Sequence, residues 1–292
     1  MNVRTNQVTQ GAMYCALYGL LLFFNQQLGL IVETSLPCLF SLPILVCSAK
    51  SEKNISWIVA LSMGLMTLLF GAFTTWFYSW TAILIGFLYG LGIRKKWSMM
   101  KNFVFCTILS IMTNFLIIFV WAKIFDMELF EEYKMIQTYL PYVSLQTFMA
   151  AFALILGLLE GLCVHFMGIL LLRKLRVDMV PMKSIFEIKS TIYPALASIL
   201  IWGLYYFSAN VLECSQEVVG LLQLLWLMCY FILDFYGVIV LLSLCVIFQK
   251  RKLAFLATLG AMIPGIQWIW VLIGFIDCLF HIREKIFKRI TL

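Results

Sequence analysis

Four ionisable side chains fall inside long apolar runs of the sequence, where an unpaired charge is costly. Glu160 and His165 share one run, Asp234 lies in the middle of another, and Asp277 lies near the end of the last. Such groups either complete buried hydrogen bonds or relay protons. Glu160 and His165 are five residues apart, about 140° around a helix, so they do not form a metal-binding pair on one face. We expect a buried hydrogen bond for each, and a proton relay through Glu160 and Asp234 is the open alternative.

Three consecutive amides, Asn25, Gln26 and Gln27, interrupt the first apolar run. Amides both donate and accept hydrogen bonds, so in the outer half of a membrane helix they could bind a polar, neutral solute. Glu33 lies just beyond them. We interpret these four residues as candidate ligand-binding residues, with a broken helix end or a polar packing contact as the alternative. Asn114 is a further candidate, for which hydrogen bonding between helices is the other interpretation.

Small residues recur one helical turn apart at Ala12 and Ala16, near the start of the same run. Such a pair leaves a smooth groove in which a second helix can approach closely, and van der Waals contact drives helix association in lipid. The pair indicates either a docking surface for another protein or packing within the chain's own bundle. For further pairs of this spacing we expect internal packing: Gly86 with Gly90, and Gly157 with Gly161.

The composition is that of a membrane protein. Of the 292 residues, 63% are hydrophobic and 12% are charged, whereas soluble domains carry about 45–50% apolar and about 25% charged residues. The sequence contains no phosphate-binding G-x-x-x-x-G-K-[ST], no H-E-x-x-H and no G-x-S-x-G pattern. We therefore predict no metal centre, no cofactor and no enzymatic activity. An intramembrane enzyme would require Glu160, His165 and Asp234 to converge.

The apolar runs and the basic residues predict the topology. Lys and Arg concentrate in cytoplasmic loops, and a cytoplasmic N-terminus places all 21 basic residues inside except Lys123 and Lys134. We predict an all-α, polytopic transmembrane bundle in a bacterial cytoplasmic membrane, with about eight spans of roughly 20 residues and both termini cytoplasmic. The inner basic residues suit anionic lipid headgroups as partners, so no nucleic acid is needed. The runs lie near 9–32, 36–49, 55–77, 79–93, 102–122, 144–172, 192–211, 218–248 and 253–282.

Three regions follow one another along the chain. Residues 1–122 form the first membrane region. Residues 144–292 form the second, which contains a basic cytoplasmic loop at 173–191 and a basic C-terminal tail. Residues 123–143 are too polar to cross a membrane. Their apolar residues recur on one face of a helix and their acidic residues occupy the others, so we expect an amphipathic helix at the outer surface.

The last apolar run, 253–282, is expected to turn back on itself. Basic residues flank it on both sides, so a single crossing would place one basic cluster outside. A hairpin or a broken helix at Pro264-Gly265 keeps both clusters inside. Beyond this turn, Asp277 and His281 stand four residues apart, the spacing at which side chains pair on one helix face.

A series of degenerate motifs runs through almost the whole chain in a specific order: GAMYCALYGLLL, SLPCLFSLPILV, IGFLYGLGIRKK, LPYVSL, SIFEIKSTIYP, DFYGVIVLLSL and IGFIDCLFHIREK. In this order they resemble the YybS-like bacterial membrane proteins, a family of unknown biochemical function. His281 stands where the family pattern leads us to expect an acidic residue. The N-terminal half of that family is in turn similar to the substrate-capture (S) components of energy-coupling-factor (ECF) transporters.

The similarity to S components implies a function. In those subunits an Ala-x-x-x-Ala face on the first helix docks against a transmembrane coupling protein, a pair of ATPases powers the complex, and a small vitamin-like solute binds in the outer half. Ala12 and Ala16 match the docking motif residue for residue. The resemblance thus implies a coupling subunit and ATPases as partners and a small molecule as ligand. No motif for a particular vitamin is recognisable.

Two functions of different classes are consistent with the sequence. The first is uptake of a small solute by an S-component-like protein, with energy supplied by partner proteins; the amides of the first run favour it. The second is a non-transporting membrane scaffold or regulatory subunit that binds other membrane proteins. The extra helices of the C-terminal half favour the second, because a capture subunit does not need them.

Overall fold

The regular elements of the protein are helices throughout its described residues, and no strand occurs among them. The all-α class predicted from the sequence is therefore confirmed. The predicted outer helix at 123–143 lies outside the described residues except for its first two, and most of the basic tail lies outside them too. The computed structural model describes residues 3–124, 144–181, 190–210, 215–249, 253–254, 258, 260–261, 263, 265–283 and 285.

The helices between Val3 and Ile124 follow one another with short connections. A 3₁₀ helix at Pro37–Ser41 separates the second and third α-helices, and a π-helical segment at Leu116–Trp121 extends the sixth. We label the α-helices in chain order as α1 (Val3–Gln27), α2 (Ile31–Ser35), α3 (Leu42–Lys50), α4 (Lys53–Phe70), α5 (Phe73–Arg94), α6 (Met99–Phe115), α7 (Ala122–Ile124), α8 (Leu145–Lys174), α9 (Tyr193–Asn210), α10 (Gln216–Ile247) and α11 (Gln267–Phe280).

Six helices within the described residues are long and apolar enough to cross a membrane. They are Gln7–Gln27 of α1, α4, α5, Met99–Trp121, α8 and α10. Two shorter apolar helices, Pro37–Lys50 and α11, accompany them. This set is compatible with a multi-pass membrane protein, while the number of about eight spans and the orientation of the termini stay predictions.

The chain divides into two compact units. The first comprises Met1–Met135 and Phe152–Met182, so it contains α1 to α7 and most of α8. Its core includes the fully buried side chains of Tyr18, Phe40 and Ile44. The division of the chain into regions at 1–122, 123–143 and 144–292 stays a prediction.

The chain between α1 and α3 is broken into short elements. Gly29 and Leu30 adopt left-handed backbone angles after α1, and Leu36 is not helical (φ −141°). Pro37 follows Leu36, and a residue before proline is disfavoured in the helical region. The short elements that result pack against α5 at a glycine, Gly86. A Cβ built at Gly86 would lie 2.3 Å from the Ser41 carbonyl oxygen.

The glycine pairs expected to pack internally do so within the first unit. A Cβ at Gly90 would lie 2.4 Å from the Leu45 carbonyl oxygen of α3. On α8, a Cβ at Gly157 would lie 2.4 Å from the Cα of Ile111, and at Gly161 the nearest atom would be the Cα of Thr107 at 2.7 Å. These glycines let helix backbones touch directly.

The second unit comprises Ile136–Ala151 and Lys183–Leu292. Its helices α10 and α11 pack through two glycines: a Cβ at Gly237 would lie 2.0 Å from the Trp270 carbonyl oxygen, and one at Gly274 would lie 1.9 Å from the Leu233 carbonyl oxygen. The small core beside this contact contains Ala195, Leu233, Val271 and Cys278.

The chain breaks before α11 near the predicted position. Gly265 has φ +90°, a backbone conformation that glycine adopts without strain, and α11 begins two residues later. A Cβ at Gly260, on the near side of the break, would lie 2.6 Å from the Trp270 indole on the far side. The two sides of the break are therefore in contact at Gly260 and Trp270, and the number of crossings in 253–282 stays a prediction.

Candidate functional site

A buried polar cluster joins the end of α1, the helix α2 and the start of α5. Asn25 is fully buried, and both the nitrogen and the oxygen of its side-chain amide form hydrogen bonds. Its Nδ2 donates to Glu33 Oε2 at 2.9 Å and to Thr75 Oγ1 at 3.3 Å, and its Oδ1 accepts from the Glu33 backbone amide at 3.1 Å. Asn25 thereby fixes both the side chain and the backbone of Glu33.

Glu33 is the centre of this cluster and is 2% exposed. The Thr74 hydroxyl donates to its Oε1 at 2.7 Å, and the Thr75 hydroxyl and Asn25 Nδ2 donate to its Oε2. Both carboxylate oxygens of Glu33 therefore accept hydrogen bonds from neighbouring side chains. We call these four residues (Asn25, Glu33, Thr74 and Thr75) the Glu33 cluster.

The other two amides of the first run do not join the Glu33 cluster. Gln26 and Gln27 are exposed, and Gln26 Nε2 donates to the Phe70 carbonyl oxygen instead. Successive residues of a helix point about 100° apart, so three amides in a row cannot line one site from one helix face. Of the candidate ligand-binding residues, the structure brings only Asn25 and Glu33 together.

Asn114 lies elsewhere in the first unit and bonds to Glu160. Its Nδ2 donates to Glu160 Oε2 at 2.8 Å and to the Ser110 carbonyl oxygen at 2.9 Å. This contact joins α6 to α8, which is the interhelical hydrogen bond considered for Asn114 and the buried hydrogen bond considered for Glu160.

His165 has a different partner from Glu160, as their five-residue separation predicts. The His165 ring lies with Nδ1 2.9 Å from the Tyr89 hydroxyl, and its centroid is 4.9 Å from that of Phe103. His165 thus belongs to an aromatic contact between α5, α6 and α8 rather than to a polar network with Glu160.

The two aspartates of the second unit are both buried, but their surroundings differ. Asp234 is 8% exposed, and its Oδ1 has no hydrogen-bond partner among the described residues. Asp277 Oδ1 accepts from the Arg283 backbone amide at 2.9 Å, and Asp277 Oδ2 lies 3.8 Å from Arg283 Nη2. Asp277 is therefore paired with Arg283, six residues later in the same segment.

The pairing of Asp277 with His281, considered from their spacing, does not occur. The helix α11 ends at Phe280, and His281 has φ 48°, so its side chain leaves the helix face that carries Asp277. The ring of His281 instead places Nδ1 3.0 Å from the Ser190 hydroxyl.

Ala12 and Ala16 lie on the outer face of α1 and are exposed. The opposite face of the helix carries Tyr14 and Tyr18, which are buried in the core of the first unit. Within the described residues, the two alanines therefore do not pack inside the chain's own bundle.

Sequence reasoning missed the hydroxyl groups that complete the buried polar contacts. Tyr18 donates or accepts in hydrogen bonds with Thr67 (2.5 Å) and Ser79, and Thr67 and Ser79 lie 3.0 Å apart. The sequence feature that could have indicated these contacts is the occurrence of single Ser, Thr and Tyr residues inside apolar runs. Because such residues can also bond to their own helix, the sequence does not show which of them link two helices.

The described residues contain no group of three His, Cys, Asp or Glu side chains placed to hold a metal ion. No family model matches the chain, and neither a curated protein nor a solved structure matches it. The resemblance to YybS-like proteins and to S components therefore stays a prediction from the motifs.

Proposed function

We propose that the protein is a substrate-capture subunit of the bacterial cytoplasmic membrane that takes up a small solute, with energy supplied by partner ATPases through a transmembrane coupling subunit. The observation that carries this proposal is the exposure of Ala12 and Ala16 on α1. Small residues that face outward are available to another helix, whereas small residues that face inward serve the protein's own packing.

The surroundings of the two alanines support a docking surface. Met13, Leu17 and Leu20 are each about half exposed around them. Large side chains beside small ones form ridges and a groove, into which a partner helix can fit with extended van der Waals contact. We call the surface formed by Ala12, Met13, Ala16, Leu17 and Leu20 the α1 docking face.

The Glu33 cluster supports a solute site on the same helix. Asn25 follows Ala16 by nine residues, about 14 Å along α1, and α1 is continuous between them. A change in the tilt of α1 at the docking face would therefore move Asn25. That movement would separate Asn25 from Glu33 and Thr75, and their donors and acceptors would then be available to a polar solute.

Copurification from native membranes tests the docking face. The wild-type protein should bring down a coupling subunit and ATPases that mass spectrometry identifies. The double variant Ala12→Trp/Ala16→Trp should lose them, because two indoles fill the groove. Ala197→Trp is the matched control, since Ala197 is an exposed alanine on α9. The proposal is contradicted if the double variant is folded and retains these partners.

A non-transporting scaffold is the second candidate, and one observation favours it. The Glu33 cluster satisfies its own hydrogen bonds, as a purely structural contact would. The two functions differ in their response to solute. A ligand that binds the folded state raises its stability, so thermal unfolding in the presence of a panel of small vitamins and nucleobases separates them. A reproducible rise with one compound counts against the scaffold.

A further inference from the structure

The second unit contains an open cavity of about 440 Å³ that none of the predicted site residues lines. Its volume lies within the range of small-molecule sites, which are mostly apolar with a few polar groups. The walls come from α8, α9, α10 and α11 and are dominated by aromatic rings. The principal lining residues are Thr147, Trp202, Tyr205, Gln223, Trp226 and Trp268.

The aromatic wall of this cavity is held by contacts behind it. Trp226 and Trp268 lie with ring centroids 5.7 Å apart, and Tyr230 lies 5.6 Å from Trp226 and 5.1 Å from Trp268. The Tyr230 hydroxyl in turn donates to Gln267 Oε1 at 3.3 Å. Both indoles therefore have Tyr230 as an aromatic neighbour, and Tyr230 is not among the described lining residues.

The charged side chains of α10, which forms one wall of the cavity, are acidic. None of the lining residues that the structure describes is charged. Asp234 lies one helical turn beyond Tyr230 on α10, and its buried Oδ1 has no hydrogen-bond partner among the described residues. Glu217 lies about 9 Å before Gln223 on the same helix. The basic residues that the structure describes in this unit are Arg283 and Lys285. Both follow the C-terminal end of α11, whereas Trp268 lies at its N-terminal end.

We propose that the cavity binds an organic cation, a quaternary ammonium group that carries apolar bulk. The faces of indole and phenol rings attract such cations, and the attraction is strongest where water is excluded. The carboxylate of Asp234, one helical turn beyond Tyr230, adds attraction for a cation, while the described part of the lining offers an anion no positive side chain. Thr147 and Gln223 provide hydrogen-bonding groups that orient a substituent. This site is separate from the Glu33 cluster and does not depend on the proposed transport function.

Equilibrium binding of radiolabelled benzyltrimethylammonium to the full-length protein in an uncharged detergent tests the proposal. We expect saturable binding of one probe per chain. Neopentylbenzene, the isostere with carbon in place of the charged nitrogen, should displace the probe at least tenfold less well than unlabelled benzyltrimethylammonium. Absence of saturable binding, or equal displacement by the isostere, would overturn the proposal.

Variants locate the binding. Trp226→Leu and Trp268→Leu should each weaken probe binding at least fivefold, and Asp234→Asn should weaken it while leaving the cavity walls unchanged. Trp57→Leu is the control, because Trp57 is an exposed tryptophan of the first unit. Thermal unfolding identifies variants that do not fold. Folded Trp226→Leu and Trp268→Leu proteins that bind the probe like the wild type would also overturn the proposal.

A quaternary ammonium group can belong to a free solute or to a choline lipid headgroup. Probe binding in nanodiscs of phosphatidylglycerol and of phosphatidylcholine distinguishes these sources. Equal binding in the two identifies a free solute, and loss of binding only in phosphatidylcholine identifies the headgroup. Both outcomes support the cation site. Loss in both types of nanodisc, with binding retained only in detergent, would contradict it.

Discussion

At the scale of single residues, Glu33 is the buried side chain of the first unit on which the hydrogen bonds of the Glu33 cluster converge. Asn25, Thr74 and Thr75 all point their donors at its carboxylate. The sequence marks Asn25 and Glu33 as unusual, because both are polar beside an apolar run. It does not show that Gln26 and Gln27 face away, since the direction of a side chain depends on the rotation of the helix about its axis.

Removing the Glu33 carboxylate should destabilise the protein. In Glu33→Ala the donors of Asn25, Thr74 and Thr75 lose their acceptor, and a buried donor without a partner costs about 1–3 kcal/mol. We expect a loss of about 2 kcal/mol or more, measured by thermal or denaturant unfolding in detergent. Thr34→Ala is the control, because Thr34 is exposed and its hydroxyl bonds only to the carbonyl oxygens of Leu30 and Ile31. Equal stabilities of the two variants would show that the cluster contributes nothing.

Glu160 and Asn114 give a second prediction at this scale. Glu160→Gln keeps an oxygen that can accept from Asn114 Nδ2, so it should change stability little. Glu160→Leu removes the acceptor and should cost about 0.6–2 kcal/mol, the range found for hydrogen bonds between membrane helices. The measurement is unfolding in detergent, with a double-mutant cycle through Asn114→Leu. A coupling energy of zero would contradict the observed contact of 2.8 Å.

At the scale of helices, the long apolar runs predicted most elements but not all of their breaks. The run at 55–77 spans two helices, because α4 ends at Phe70 and α5 begins at Phe73. The residues around Gly71 remain apolar, so hydropathy does not change at the break. The run at 9–32 ends earlier than predicted, at Gln27, because Gly29 and Leu30 adopt left-handed backbone angles. Helix breaks that depend on backbone angles cannot be predicted from the hydropathy of the residues around them.

Two glycines give a matched test of helix packing in the second unit. Gly274→Ala should be strongly destabilising, because its Cβ would lie 1.9 Å from the Leu233 carbonyl oxygen. Gly203→Ala adds a Cβ with no neighbouring atom within 4 Å, and alanine is favoured over glycine in a helix by about 1 kcal/mol. We therefore expect Gly203→Ala to have wild-type or slightly higher thermal stability. The same small effect from both substitutions would contradict the close contact of α10 and α11.

At the scale of the whole molecule, the predicted topology assigns almost all basic residues to the cytoplasmic side. Two of these basic residues have fixed partners in the first unit: Arg94 donates to the Ser51 carbonyl oxygen at 2.5 Å, and Lys96 forms an ion pair with Asp178. Composition and hydropathy were sufficient to predict this class of protein. The aromatic cavity of the second unit was not predicted, because its walls come from four helices that are far apart in sequence.

The net charge of +7 predicts a preference for anionic lipid. A polybasic surface gains about 1 kcal/mol per Lys or Arg near an anionic membrane, and salt screens this attraction. We expect a higher thermal unfolding temperature in phosphatidylglycerol nanodiscs than in phosphatidylcholine nanodiscs, with the difference shrinking from low to high salt. A difference that does not depend on salt would point to lipid packing rather than to charge.

The proposed transport function depends on the docking of α1 on a coupling subunit, and photo-crosslinking in intact membranes tests this docking. A benzophenone amino acid is placed at position 16 and, as the control, at position 197 on α9. Illumination should join the position-16 protein to a transmembrane coupling subunit, and the position-197 protein should form no such product. Products that are the same from both positions, or no coupling-subunit product from position 16, would contradict the claim.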